Sequence, residues 1–247
     1  KGLLAADESS GTIKKRFDSI GLESTADSRR DYREMLFRSD EAMKNYISGV
    51  ILYDETIRQN AKDGTSLVKI MQDAGCIPGI KVDAGAKPLA GFPGETITEG
   101  LDGLRERLAE YYKLGARFSK WRAAISISDG LPTWGAVKQN AQALARYAAL
   151  CQEAGIVPIV EPEVLMDGTP GNHSIERCYE VSEWVLKTVF DELYDARVVL
   201  EGMILKPNMV VAGQKAQKAS VEQVAELTVR LLKSTVPSAV PGIAFLS

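Results

Sequence analysis

Short, uninterrupted apolar runs alternate with amphipathic stretches along this chain, and that alternation excludes most folds. The runs cover positions 3–7, 49–54, 77–83, 116–122, 156–161, 198–205 and 242–247. They lack the strict polar–apolar alternation of half-exposed strands, so they read as parallel strands buried on both faces. Between them, the periodicity predicts helices over 13–20, 25–43, 66–74, 99–113, 133–154, 174–195 and 220–235. The stretch 84–98 is rich in Gly and Pro and reads as a loop long enough to be functional. A doubly wound sheet and a closed (β/α)8 barrel both satisfy this order. A nucleotide-binding sheet would open on a glycine-rich turn. Here Asp7 is followed by Glu8-Ser9-Ser10-Gly11, and no Walker A sequence occurs.

The ends of the runs favour the barrel. Asp7 closes the first and Asp54 the second. The third carries Lys81 and Asp83, the fourth Lys120 and Arg122, the fifth Glu161 followed by Glu163, and the sixth leads into Lys206. Strands repeat every two residues, so each of the two-residue pairs shares a face. In a barrel such residues converge on one mouth, where enzymes of this fold keep their active sites. Lys206 follows Leu205 and precedes Pro207. Burial disfavours the charged form of an amine, which is one way proteins make a lysine that attacks carbonyls. The chain begins Lys1-Gly2-Leu3, without a methionine, and its last run reaches Ser247. The expected fold is therefore an α/β TIM barrel showing about seven of its eight strands. It would form one domain over 1–247, incomplete at both ends.

Composition narrows the chemistry. The formal net charge is -3 and no basic run occurs, which argues against a nucleic-acid partner but leaves phosphate ligands open. Cys76, Cys151 and Cys178 are widely spaced and form no CxxC, so neither a disulfide framework nor a structural zinc site is expected, and a reducing compartment fits. The single histidine, His173, cannot build a multi-histidine metal site. It follows the turn-rich 167–172 and is expected on the surface. No run is long enough for a membrane span, and no signal peptide is visible.

Several stretches are also familiar in order. Leu3-Leu4-Ala5-Ala6-Asp7-Glu8-Ser9, Gly49-Val50-Ile51-Leu52, Gly79-Ile80-Lys81-Val82-Asp83, Lys120-Trp121-Arg122, Gly155 through Glu163, and Leu205-Lys206-Pro207-Asn208-Met209 together resemble class I, Schiff-base fructose-1,6-bisphosphate aldolase. The resemblance implies metal-free cleavage of a sugar bisphosphate, with no cofactor beyond a covalent lysine imine. It assigns the imine to Lys206, proton shuttling to Glu161, acceptance of the hydroxyl proton to Asp7, and a supporting cation to Lys120. Lys81 and Arg122 would contact the substrate's second phosphate or the site around it, Glu163 would support the lysines, and Ser9, Ser10 and Arg16 would add phosphate or sugar contacts. Ser247 would begin the loop for the other phosphate. A homotetramer, a cytoplasmic location (with the plastid not separable) and cytoskeletal partners are further implications.

The residues alone leave other Schiff-base barrels open, such as a transaldolase or keto-acid aldolase, as well as a non-catalytic scaffold. Lys81 and Arg122, beside the lysines of the fourth and sixth runs, favour a bisphosphate. In the family, sequence beyond the position of Ser247 supplies a further phosphate-binding arginine. The 247 residues alone are therefore expected to be weakly active or inactive. Full-rate cleavage of fructose 1,6-bisphosphate by that polypeptide would refute this.

Overall fold

In a computed structural model describing residues 1–167 and 170–245, the chain forms two compact units. The first comprises Lys1–Val82, Arg105–Lys120 and Ala154–Ile156. The second comprises Asp83–Leu104, Trp121–Glu153 and the chain from Val157 onward.

The first unit opens with β1 (Gly2–Ala6), α1 (Ser10–Asp18), α2 (Ala26–Phe37), α3 (Asp40–Tyr46), β2 (Ile47–Leu52), α4 (Asp54–Ile57), α5 (Leu67–Asp73) and β3 (Ile77–Lys81). The chain then enters the second unit for an antiparallel pair, β4 (Ala86–Pro88) and β5 (Thr96–Thr98). It returns through α6 (Leu104–Lys113) to the start of β6 (Phe118–Ile125). From Trp121 onward it stays in the second unit except for 154–156. There it forms the rest of β6, α7 (Trp134–Glu153), β7 (Val157–Val164), α8 (Ile175–Asp195), β8 (Ile204–Leu205) and α9 (Val221–Thr235). Within the first unit β1, β2, β3 and β6 are neighbours in that order, all parallel. Within the second, β6, β7 and β8 follow in that order. Parallel strands linked by helices are the expected α/β pattern.

Several boundaries differ from expectation for local reasons. Ser66, Ser174 and Ser220 are N-caps, one residue before their helices, and each side chain accepts an N–H from three residues on. The expected helix 25–43 divides at Arg38 and Ser39. α2 ends at Phe37 with Arg38 as its C-cap, and α3 starts afresh with Asp40 and Glu41 in its first turn, where acids favour a helix N-terminus. The expected helix 99–113 begins only at Leu104, because Gly100 (φ 127°) and Gly103 (φ 68°) hold left-handed backbone. The 84–98 loop contains the β4–β5 pair.

The run 198–205 is a strand only over its last two residues, preceded by a 3-10 turn at Leu200–Gly202. The run 242–247 contributes a single parallel bridge, Leu205 to Ile243, among the described residues. Leu246 and Ser247 lie outside them.

Glycine in β3 has a packing cause. A Cβ on Gly79 would lie 2.3 Å from the Phe118 ring, and one on Gly49 would lie 2.8 Å from the same ring. The ring therefore rests directly on two neighbouring strands of the first unit. Gly79→Ala is expected to lower stability by about 1–3 kcal/mol through overpacking. Much of that loss should return in a Phe118→Leu background, as read from urea unfolding midpoints.

Candidate active site

In the first unit the end of β1 delivers Asp7 into the interior. Its Oδ2 accepts a hydrogen bond from Lys120 Nζ at 2.7 Å, and both side chains are about 10% exposed. Lys120 stands on β6 in register with Lys81 on β3, and the Val82 N–H donates to the Lys120 carbonyl. The next residue, Glu8, is gripped from two sides. Arg16 Nη1 meets Glu8 Oε1 at 2.5 Å. Arg33 Nη2 donates to the Glu8 main-chain carbonyl at 2.7 Å and lies 3.7 Å from its carboxylate. Ser9 caps α1 and Ser10 is that helix's exposed first residue. The first turn of α1 thus follows directly on Asp7.

Arg33 is fully buried in α2. Burial pulls its guanidinium below the ordinary value, against the raising influence of Glu8 and Glu55. Glu55 Oε1 is 3.9 Å away. The Glu55 carboxyl is held below the usual carboxylate range by its hydrogen bonds from Arg29, which outweigh partial burial. The sequence reading missed Arg33. A signal existed, because it lies one helical turn before the buried Phe37, on the apolar face of α2.

In the second unit, Lys206 emerges directly from β8. Its N–H donates to the Val160 carbonyl at 2.8 Å, and its Nζ is in hydrogen-bonding contact with Glu161 Oε1. Glu161 is 2% exposed and Lys206 11% at the side chain. Arg122 on β6 holds Glu163 through Nε at 2.5 Å and lies 3.8 Å from Glu161. Burial pulls the Arg122 guanidinium down. The Glu163 hydrogen bond and the charges of Glu163, Glu161 and Asp167 more than offset it, so the net direction is up. Asp83 accepts the backbone N–H groups of Gly85 and Arg122, which ties the start of the 84–98 segment to β6.

The structure thus joins Asp7 with Lys120 in one unit, and Lys206, Glu161, Arg122 and Glu163 in the other. Ser9 and Ser10 stand at the N-terminus of α1, and Arg16 in its last turn. Ser247 lies outside the described residues. His173, expected on the surface, is buried. The Gly213 N–H donates to its carbonyl and so packs the turn under a later segment. Burial pushes its imidazole below the usual value. Chemically, an amine in contact with a buried carboxylate can pass its proton to it and regain it later, which nucleophilic attack on a carbonyl and loss of water both require.

A family model described as fructose-bisphosphate aldolase class-I matches residues 1–247. A probable class 1 fructose-bisphosphate aldolase of Xanthomonas campestris pv. campestris is 60% identical over 248 residues, covering 100% of this chain and 73% of its own length. The cytoplasmic isozyme of Spinacia oleracea is 54% identical over 247 residues, covering 100% of this chain and 68% of its own. A crystal structure of the Plasmodium falciparum enzyme, in complex with TRAP and a small-molecule inhibitor, superimposes with a TM-score of 0.96. It is 49% identical and covers 100% of this chain and 71% of that one.

The charge network under Asp7 has a measurable pH signature. The Glu55 pKa is depressed in the folded state. Its contribution is therefore present above the ordinary value of ~4.3 and is lost as pH falls through the lower folded value. Glu55→Gln is expected to flatten the acid limb of stability below about pH 4.3, read by urea midpoints from pH 3 to 7. Arg33→Met, which strips Glu8 of a buried cation, should cost about 3–5 kcal/mol at pH 7. A loss under 1 kcal/mol would show the network to be incidental.

Proposed function

Because this chain belongs to the class-I fructose-bisphosphate aldolase family, we propose that Lys206 is its imine-forming lysine and Glu161 the acid and base that serves it. The reaction is the reversible cleavage of fructose 1,6-bisphosphate to dihydroxyacetone phosphate and glyceraldehyde 3-phosphate. The enzyme is a glycolytic lyase that works through a lysine Schiff base without metal, on a TIM-barrel-like α/β fold. The observation that carries the residue assignment is the contact between Lys206 Nζ and the buried Glu161 carboxylate.

In this reading the Lys206 amine attacks the ketone carbon to give a carbinolamine. Glu161 delivers a proton to the departing hydroxyl, which leaves as water, and the protonated imine remains. Asp7 then takes the proton of the hydroxyl on the carbon beyond the bond to be cut. As that carbonyl forms, the carbon–carbon bond breaks and its electron pair flows into the imine, giving an enamine. The aldehyde departs, the enamine carbon is reprotonated with Glu161 as shuttle, and hydrolysis frees the ketone product. The protonated imine is an electron sink, so the carbanion is never formed in isolation. Lys120 contributes positive charge near the reacting hydroxyls, and its 2.7 Å contact with Asp7 supports that role. Glu163 holds Arg122 for a phosphate, with Lys81 as a second cation. Ser9 and Ser10 at the start of α1 and Arg16 in its last turn add contacts, and Ser247 belongs to the other phosphate's loop.

A homotetramer, a cytoplasmic location and cytoskeletal partners complete the proposal. The spinach relative is named a cytoplasmic isozyme. A monomeric mass in sedimentation, or failure to pellet with actin filaments, would remove the first or the last.

Borohydride reduction in the presence of dihydroxyacetone phosphate, followed by peptide mapping, tests the central claim. The expected adduct is on Lys206, and Lys206→Met should lose both the adduct and turnover while remaining folded. An adduct on any other lysine overturns the assignment.

A further inference from the structure

β8 is only two residues long, and yet it must hold Lys206 against the strand that carries Glu161. The backbone ladder explains the near side of that grip. Ile204 and Leu205 are in register with Ile159 and Val160, and the Lys206 N–H reaches the Val160 carbonyl. The next bond from β7, to the Lys206 carbonyl, is missing because Pro162 has no N–H to donate. On the far side a side chain takes over. Asn208 Oδ1 accepts the backbone N–H of Val164 at 3.1 Å. Its Nδ2 donates to Ser182 Oγ on α8 at 3.0 Å and to the Met209 carbonyl at 3.1 Å, and lies 3.9 Å from Cys178 Sγ. Two residues later the Val210 N–H donates to Thr228 Oγ1 on α9 at 2.9 Å.

We infer that Asn208 is a positioning residue for Lys206: its amide replaces the missing ladder bonds and locks the lysine-bearing segment to β7 one residue beyond Glu163. The inference rests on the imine-forming role proposed for Lys206. An Asn side chain has both an acceptor and two donors in one plane, so it can bind a strand N–H and a helix hydroxyl together. Lys206 lies between two anchors to the same strand, Val160 on one side and Val164 on the other. Its backbone cannot shift along β7 without breaking one of them. Small displacements matter because reaction requires near-attack geometry, and a misplacement of about 1 Å can cost about a hundredfold in rate.

The test compares Asn208→Ala and Asn208→Asp with the unaltered residue, each in the full-length protein. The readouts are turnover of fructose 1,6-bisphosphate and the first-order rate of borohydride-trapped adduct on Lys206 at saturating dihydroxyacetone phosphate. Asn208→Ala is expected to lower kcat and the trapping rate together by about 10- to 100-fold, with KM changed less than about threefold. Asn208→Asp keeps the acceptor for Val164 and can receive the Ser182 hydroxyl proton, while losing only the donor to the Met209 carbonyl. It should recover to within about fivefold of the unaltered chain. A folded Asn208→Ala protein that traps adduct at the normal rate overturns the inference. An alanine variant and an aspartate variant equally impaired would overturn it too, by removing the acceptor as the cause.

If Asn208→Ala does not fold, Ser182→Ala carries the test. It removes one anchor of the amide and should slow trapping several-fold, and an unchanged rate overturns the inference. Absence of any Lys206 adduct in the unaltered chain would instead overturn the imine-forming reading itself.

Discussion

Ionised groups cannot be left unpaired in a low-dielectric interior, and this constraint organises both units. Desolvating a carboxylate or an ammonium costs several kcal/mol even after relaxation. Each acid that a strand delivers inward is therefore met by a base. Asp7 meets Lys120 in the first unit, and Glu161 meets Lys206 in the second. A further ring of charges surrounds each pair. Arg33 holds the residue next to Asp7, and Arg122 reaches both Glu163 and Glu161. Such pairs contribute little net stability compared with a well-packed apolar core.

In the second unit a flexible side chain, that of Lys206, stands on a rigid frame. A lysine has four rotatable carbons, so its tip is only as well placed as the backbone below it. Here that backbone leaves a two-residue strand and runs into a proline. The side chains of Asn208 and Thr228 then satisfy backbone N–H groups that a longer ladder would have bonded. The 3-10 turn before β8 and the Gln152 amide that clasps Val199 secure the approach from the other side.

Much of this was legible in residue order. At Ser66, Ser174 and Ser220 the helix start was readable to within a residue, because a serine side chain caps its own helix locally. The acids and bases at strand exits were readable because a charge ending an apolar run has few uses. Other features were not legible. The break between α2 and α3 falls in a stretch without Gly or Pro, so no local breaker announced it. The burial of His173 depends on a segment some forty residues later folding across its turn. Arg33 belongs to a helix that reads as merely charged, and only packing shows that it is fully enclosed.

The sequence by itself determined the class of fold and the inventory of ionisable groups at the strand exits. Periodicity and the chemistry of side chains are local properties, carried by neighbours a few residues apart. The ordered motifs likewise sufficed for the family. Tertiary structure alone decided which acid meets which base, how short β8 is, and what holds Lys206 in place. Those outcomes depend on contacts across long sequence separations, such as the 113 residues between Asp7 and Lys120 or the 44 between Val164 and Asn208. Such contacts are selected by the packing of the whole unit, where burial makes each partner necessary to the other.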